Sequence, residues 1–214
     1  MIHHPFHLAV WFDLAATFLC AVTGALAALR KRYDLVGVMV LALVTALAGS
    51  MLRDLLLQRG PPAALMDARY LGAVLAGAAA AAAFRSHLHR LRLVFSLADA
   101  LALGIYGVVG TQKALASGLP VLAALLLGTI NAVGGSVVRD VLVREEPLLF
   151  KPGEWYALAA LAGCGAFAAL VVPFAVAASR AAAVAIAVAF AARLLSIRLG
   201  WRTGPLSGAD PGLG

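Results

Sequence analysis

The residues of this chain whose types and spacing could do chemistry fall into two short phrases. One is Gly134-Gly135-Ser136 followed by Arg139-Asp140, and the other is Gly49-Ser50 followed by Arg53-Asp54. Both interrupt long apolar stretches, where a helix in lipid has little use for a flexible joint or a charge. The chemistry on offer is not bond-making. Carbonyls freed at a glycine bend, joined by the Ser50 and Ser136 hydroxyls, would suit a cation that has shed part of its water. Thr45 and Asn131 stand one helical turn before Gly49 and Gly135 and would extend the same polar stripe into a bundle interior. The competing reading is packing alone, because small residues let helix backbones approach closely in lipid.

The charges call for partners. Asp13 lies early in the first apolar stretch and Asp99 early in the fourth, so each is expected at the depth of one Arg-Asp phrase. Two ion pairs follow as an expectation, Asp13 with Arg53 and Asp99 with Arg139, since pairing removes much of the cost of burying a lone charge. The adjacent Asp54 and Asp140 belong to the same clusters. The alternative is that these side chains snorkel to the membrane surface. For Lys113, an ordinary helix-end anchor and a vestibule residue that repels entering cations are both open readings.

Other chemistries lack their residues. Phosphate-loop spacing, a nucleophile triad and a carboxylate pair set for hydrolysis are all missing, so an enzyme is not expected. Cys20 and Cys164 each stand alone in apolar sequence, and His3, His4, His7, His87 and His89 have no metal-site spacing. No metal and no cofactor is expected.

The elements that must position these residues are membrane helices. The chain has 214 residues, is 63% hydrophobic and only 13% charged, and its mean hydropathy is +0.96. A soluble domain has about 45–50% apolar and about 25% charged residues, so the class is an all-α membrane protein partnered by the lipid bilayer. At about 20 residues per span there is room for roughly seven helices. The net charge of +7 then reflects basic loops rather than a nucleic-acid partner. Seven apolar stretches can be marked: 7–29, 35–57, 70–84, 93–115, 121–143, 155–172, and one from about 176 to 192–195. With the N-terminus outside, 12 of the 17 Lys and Arg fall on the cytoplasmic side. The positive-inside rule thus predicts an external N-terminus and a cytoplasmic C-terminus.

An ungapped repeat organises the chain. The two Arg-Asp phrases are offset by 139 − 53 = 86, and the same offset carries Asp13 to Asp99, Gly24 to Gly110, Pro61 to Pro147 and Tyr70 to Tyr156. Three spans per copy, an odd number, insert the copies in opposite directions, an architecture common among transport proteins. The predicted organisation is one membrane domain over 1–201, with repeats at about 7–84 and 93–172. A seventh helix follows at about 176–195, and 202–214 form a flexible tail.

These motifs resemble a known family. Phe12-Asp13-Leu14, Gly24-Ala25-Leu26, the two glycine phrases with their Arg-Asp, Asp99-Ala100 with Gly110 and Lys113-Ala114, and the closing Arg193-Leu194-Leu195 with Trp201 look like the prokaryotic trimeric intracellular cation (TRIC) channels. The resemblance spans residues 8–201. It departs at Ala48-Gly49, where the family carries a fuller glycine run. It implies seven helices as two inverted three-helix repeats plus one, a homotrimer in the inner membrane, and one pore per protomer. It further implies helices kinked at their glycine motifs and passive, potassium-permeable monovalent cation conduction. A facilitator for a small neutral solute such as glycine is the alternative, since both need a wet polar path. A scaffold without transport would leave the intramembrane Asp and Arg unexplained.

Overall fold

The computed structural model describes residues 8–58, 60–83, 91–151 and 155–200. The described residues form helices and connecting turns and contain no strand. The helices are α1 (Val10–Arg30), α2 (Leu35–Leu57), α3 (Ala63–Met66), α4 (Ala68–Ala83), α5 (Leu91–Ala116), α6 (Val121–Leu142), α7 (Tyr156–Val171) and α8 (Ala178–Leu199). Among them α1, α2, α5, α6 and α8 are long and apolar enough to cross a membrane, while α4 and α7 are shorter apolar helices of 16 residues.

Two boundaries differ from the sequence reading. The four-residue α3 follows Pro61-Pro62, too short a turn to leave a periodic signal. Helix α8 runs on to Leu199, and within it Arg193 is buried, its guanidinium 4.9 Å from the centre of the Tyr156 ring. The five histidines and residues 202–214 lie outside the described residues.

Local chemistry explains the helix ends. Asp34 caps α2 by accepting from the Gly37 amide at 2.8 Å, satisfying one of the donors a helix start leaves open. Pro120 precedes the first residue of α6, a place where a fixed φ suits the chain and no helical hydrogen bond is lost. Left-handed residues follow helix ends in equivalent places: Arg32 and Gly118 at 118 − 32 = 86, Gln58 and Arg144 at 144 − 58 = 86. Only Gly118 adopts that conformation without the steric penalty a Cβ brings.

Helix α1 is the central post, packed by α2, α4 and α5, and α5 in turn is packed by α6, α7 and α8. The buried face of α1 is built from Ala16, Ala21, Ala25 and Ala28, all with no exposed surface. Small side chains are what close helix approach in lipid requires. Large apolar residues such as Leu35, Leu122 and Phe174 point outward, at 76%, 80% and 74% exposure. In water such a surface would aggregate, whereas in a bilayer it is the solvated face.

Candidate functional site: two charged clusters and a glycine crossing

The first cluster lies at the N-terminal end of α1. Asp13 is in the first turn of α1 and buried. Its Oδ1 stands 3.3 Å from Arg53 Nη1 and its Oδ2 3.4 Å from Arg53 Nη2, with Arg53 on α2 wholly buried. Asp13 Oδ2 also accepts from Tyr70 of α4 at 2.9 Å and from Lys113 of α5 at 2.8 Å. One carboxylate thus ties together four helices. Arg53 Nε donates to Asp54 at 2.8 Å, and the other Asp54 oxygen accepts from the Ala63 amide at 3.0 Å. Helix α3 therefore has a purpose: it brings that amide back onto the cluster.

The second cluster repeats the plan at the C-terminal end of α1. Arg139 of α6 is buried, donates to Asp99 of α5 at 3.0 Å, and donates through Nε to Asp140 at 2.8 Å. Asp140 also accepts from the Leu148 amide at 3.4 Å, a contact like that of Ala63 on Asp54 but one residue out of the 86-residue register. The wider setting departs from the repeat. Arg139 Nη1 donates to Thr23 of α1 at 3.3 Å, and the Phe95 ring lies 4.9 Å from its guanidinium. Tyr156, the equivalent of Tyr70, bonds Ser136 Oγ at 2.9 Å. Lys113 has Ala27 as its equivalent, so no lysine reaches Asp99 from that position. It is both a pairing partner and a wall of the space beside Asp13.

Cavities flank these clusters. On the Asp13 side are one of 320 Å³, lined by Asp54, Gln112, Lys113 and Ser117 among others, and one of 230 Å³, lined by Asp13, Asp67, Tyr70 and Lys113. On the Arg139 side a cavity of 120 Å³ is lined by Arg30, Lys31, Arg139, Asp140 and Glu145. Lys31 and Glu145 pair there at 2.8 Å between two connecting segments. The hydrogen bond from Lys31 holds the Glu145 carboxyl below its ordinary range.

The glycines lie between the two ends, where α2 crosses α6. A methyl group on Gly49 would collide with the Asn131 carbonyl, and one on Gly135 with the Thr45 carbonyl. The four residues are exchanged by the offset, since 45 + 86 = 131 and 49 + 86 = 135. Gly134 faces the Gly49 Cα, and a Cβ added to it would lie only 3.1 Å from that atom, a tight contact. Both helices continue unbroken through these positions. Ser50 donates to the Leu47 carbonyl at 3.0 Å and Ser136 to the Val133 carbonyl at 2.8 Å, a local bond that competes with the helical ladder and favours bending. Thr45 donates to the Leu41 carbonyl at 2.6 Å, and Asn131 Nδ2 to the Tyr106 carbonyl of α5 at 2.6 Å. Asn131 Oδ1 is buried with no hydrogen-bond partner among the described residues. None of the three cavities is lined by Thr45, Gly49, Asn131 or Gly135.

Sequence reasoning singled out the Asp, Arg and Gly positions but not Tyr70, Tyr106 or Thr23, which complete their contacts. The available signal for Tyr70 was its repeat mate, Tyr156. Among the described residues no group of three or more His, Cys, Asp or Glu could hold a metal.

Fold and site together define a helical membrane protein built on two related buried ion-pair clusters. A family profile described as "Glycine transporter" matches the chain twice, over residues 10–86 and 96–172, and the two matches are offset by 96 − 10 = 86. A membrane protein of Deinococcus radiodurans is 40% identical over 157 residues, covering 73% of each chain. The inner membrane protein YadS of Escherichia coli K12 is 32% identical over 89% of this chain and 92% of its own. The solved structure of the TRIC trimeric intracellular cation channel orthologue from Rhodobacter sphaeroides superposes with a TM-score of 0.80 at 32% identity, covering 89% of this chain and 97% of that one. The chain belongs to this family, the prokaryotic TRIC-like membrane proteins whose profile carries the glycine-transporter description.

Proposed function

We propose that this protein is a passive, potassium-permeable monovalent cation channel of the inner membrane, a homotrimer with one conduction path in each protomer. Seven spans, as two inverted three-helix repeats and a seventh helix, would place the N-terminus outside and the C-terminus in the cytoplasm. A path would run from the cavities beside Asp13 to the cavity beside Arg139, passing between α2 and α6. The observation that carries this reading is the glycine crossing itself. There the backbone carbonyls of Thr45 and Asn131 face the opposing glycines, with Ser50 and Ser136 adjoining, and the crossing separates cavities at opposite ends of α1. In this arrangement the crossing is shut, and α2 and α6 must part to admit an ion. Arg53 and Arg139 would not repel cations, because Asp13, Asp54, Asp99 and Asp140 neutralise them. Their role is to hold helices, with no cofactor involved.

A second reading, passage of a small neutral solute such as glycine, is favoured by the family description and would use the same crossing. Single-channel recording of purified protein under K⁺/Na⁺ and K⁺/Cl⁻ gradients separates the two. Cation-selective current is expected; its absence together with glycine uptake into liposomes would replace the channel by the facilitator.

A further inference from the structure

Tyr106, on α5, touches both glycine-bearing helices. Its backbone carbonyl accepts from Asn131 Nδ2 of α6, and its hydroxyl reaches the Ala46 carbonyl of α2, each at 2.6 Å. Ala46 precedes Gly49 by 3 residues and Asn131 precedes Gly135 by 4, so each helix is held about one turn before its glycine. At the other copy's equivalent position stands Cys20, since 106 − 86 = 20. The link therefore has no symmetry mate.

The hydroxyl network around Tyr106 is short of protons. Thr17 Oγ1 lies 2.8 Å from the Asp13 carbonyl and 2.9 Å from the Tyr106 hydroxyl, which itself lies 2.6 Å from the Ala46 carbonyl. A carbonyl only accepts, and each hydroxyl brings one proton. Three contacts share two protons. If both protons go to carbonyls, the hydroxyl oxygens of Thr17 and Tyr106 face each other with none between them. Two orderings avoid that clash: Thr17 donates to Tyr106 and Tyr106 to the Ala46 carbonyl, which holds α2, or Tyr106 donates to Thr17 and Thr17 to the Asp13 carbonyl, which lets α2 go. Both side chains are buried, at 0% and 2% exposure, so bulk water does not relieve the shortage.

We propose that Tyr106 is a positioning residue for conduction: its hydroxyl is a two-position switch that holds α2 when it donates to Ala46 and releases it when it donates to Thr17. This rests on the channel reading. The short contact to Ala46 is the holding position, and it coincides here with Gly49 and Gly135 packed against the opposite helix. Because Asn131 bonds the same tyrosine, the residue that restrains α2 also contacts the other wall of the crossing.

Two substitutions pull the switch in opposite directions. Tyr106→Phe deletes the holding bond and should raise single-channel open probability. Thr17→Val preserves shape, removes the competing acceptor and should lower it. Each shift should be about three- to tenfold, the range a typical net hydrogen bond supplies, with unitary conductance unchanged. General packing damage would move both variants the same way, so shifts of one sign, or none, overturn the proposal. Hydrogen exchange of the α2 amides at 47–51 in detergent gives a readout without current: faster in Tyr106→Phe, slower in Thr17→Val. If the unmodified chain passes no cation, the channel reading fails, while equal exchange in the two variants would overturn the switch itself.

Discussion

The two charged clusters are built from the same parts and are not equally supported. Around Asp13, one arginine, one lysine and one tyrosine converge from three other helices. Around Asp99 the arginine arrives alone from the equivalent positions: the lysine's place is taken by Ala27, and Tyr156 turns instead to Ser136. What Arg139 has in place of those partners is Thr23 and the face of Phe95. Duplication thus copied the Asp–Arg core and its neighbouring Asp, while the surroundings diverged. The Asp13 carboxylate is overdetermined, whereas the second cluster concentrates its support in Arg139.

The largest expected effect tests that imbalance. Removing one partner of a buried ion pair costs about 3–5 kcal/mol, because it strands the other charge. Arg139→Ala takes from Asp99 its arginine and leaves Asp140 only the Leu148 amide. Arg53→Ala leaves Asp13 with Lys113 and Tyr70. Arg139→Ala should therefore be the more damaging, in thermal midpoint and in yield of folded protein in detergent. Adding Lys113→Met to Arg53→Ala should erase the difference. Equal losses from the two single variants would mean that Lys113 and Tyr70 do not compensate.

The ion pairs were the most legible part of the site. An aspartate inside an apolar stretch has few bland explanations, and a shared offset assigns each one its arginine. The glycines were half legible: Gly49 and Gly135 announce either close packing or a bend, and only the facing carbonyls of Asn131 and Thr45 show that the packing is there. Tyr106 was illegible, since a tyrosine in an apolar stretch reads as core, and its bond to Ala46 depends on how α5 sits against α2. The burial of Arg193 was illegible for a related reason. A basic residue near a span's end suggests an interface, and nothing local announces that a tyrosine ring on α7 will cover it.

The crossing offers a comparison in which the halves should behave alike. Gly49→Ala and Gly135→Ala each drive a Cβ into a backbone carbonyl that cannot swing away, and overpacking of this kind costs about 1–3 kcal/mol. Gly165→Ala, on α7 with nothing within 4 Å of the added carbon, should be neutral or stabilising by up to about 1 kcal/mol through helix propensity. Thermal midpoints of the three variants check this order. A large difference between Gly49→Ala and Gly135→Ala would mean that the two matched segments are not equivalent at the crossing.

The smallest effect belongs to a feature found on the Arg139 side, the Lys31–Glu145 pair. Its side chains are 37% and 54% exposed, so its stabilisation is no more than about 1 kcal/mol and is screened by salt. The sign follows from the carboxyl's lowered pKa. The contribution is complete above the ordinary glutamate value of 4.5 and is lost as pH falls through the lower folded value, because the unfolded chain then binds the proton more readily. Glu145→Gln should therefore lower the thermal midpoint slightly at pH 7 at low ionic strength, and the gap should close on acidification or in 1 M salt. The equivalent positions on the other side are Arg59 and Ser117, which cannot form an ion pair with each other. A matching acid-sensitive contribution should accordingly be missing there, and Ser117→Ala should leave the acid limb of stability unchanged. If Ser117→Ala altered that limb as much as Glu145→Gln does, the asymmetry would not lie in this pair.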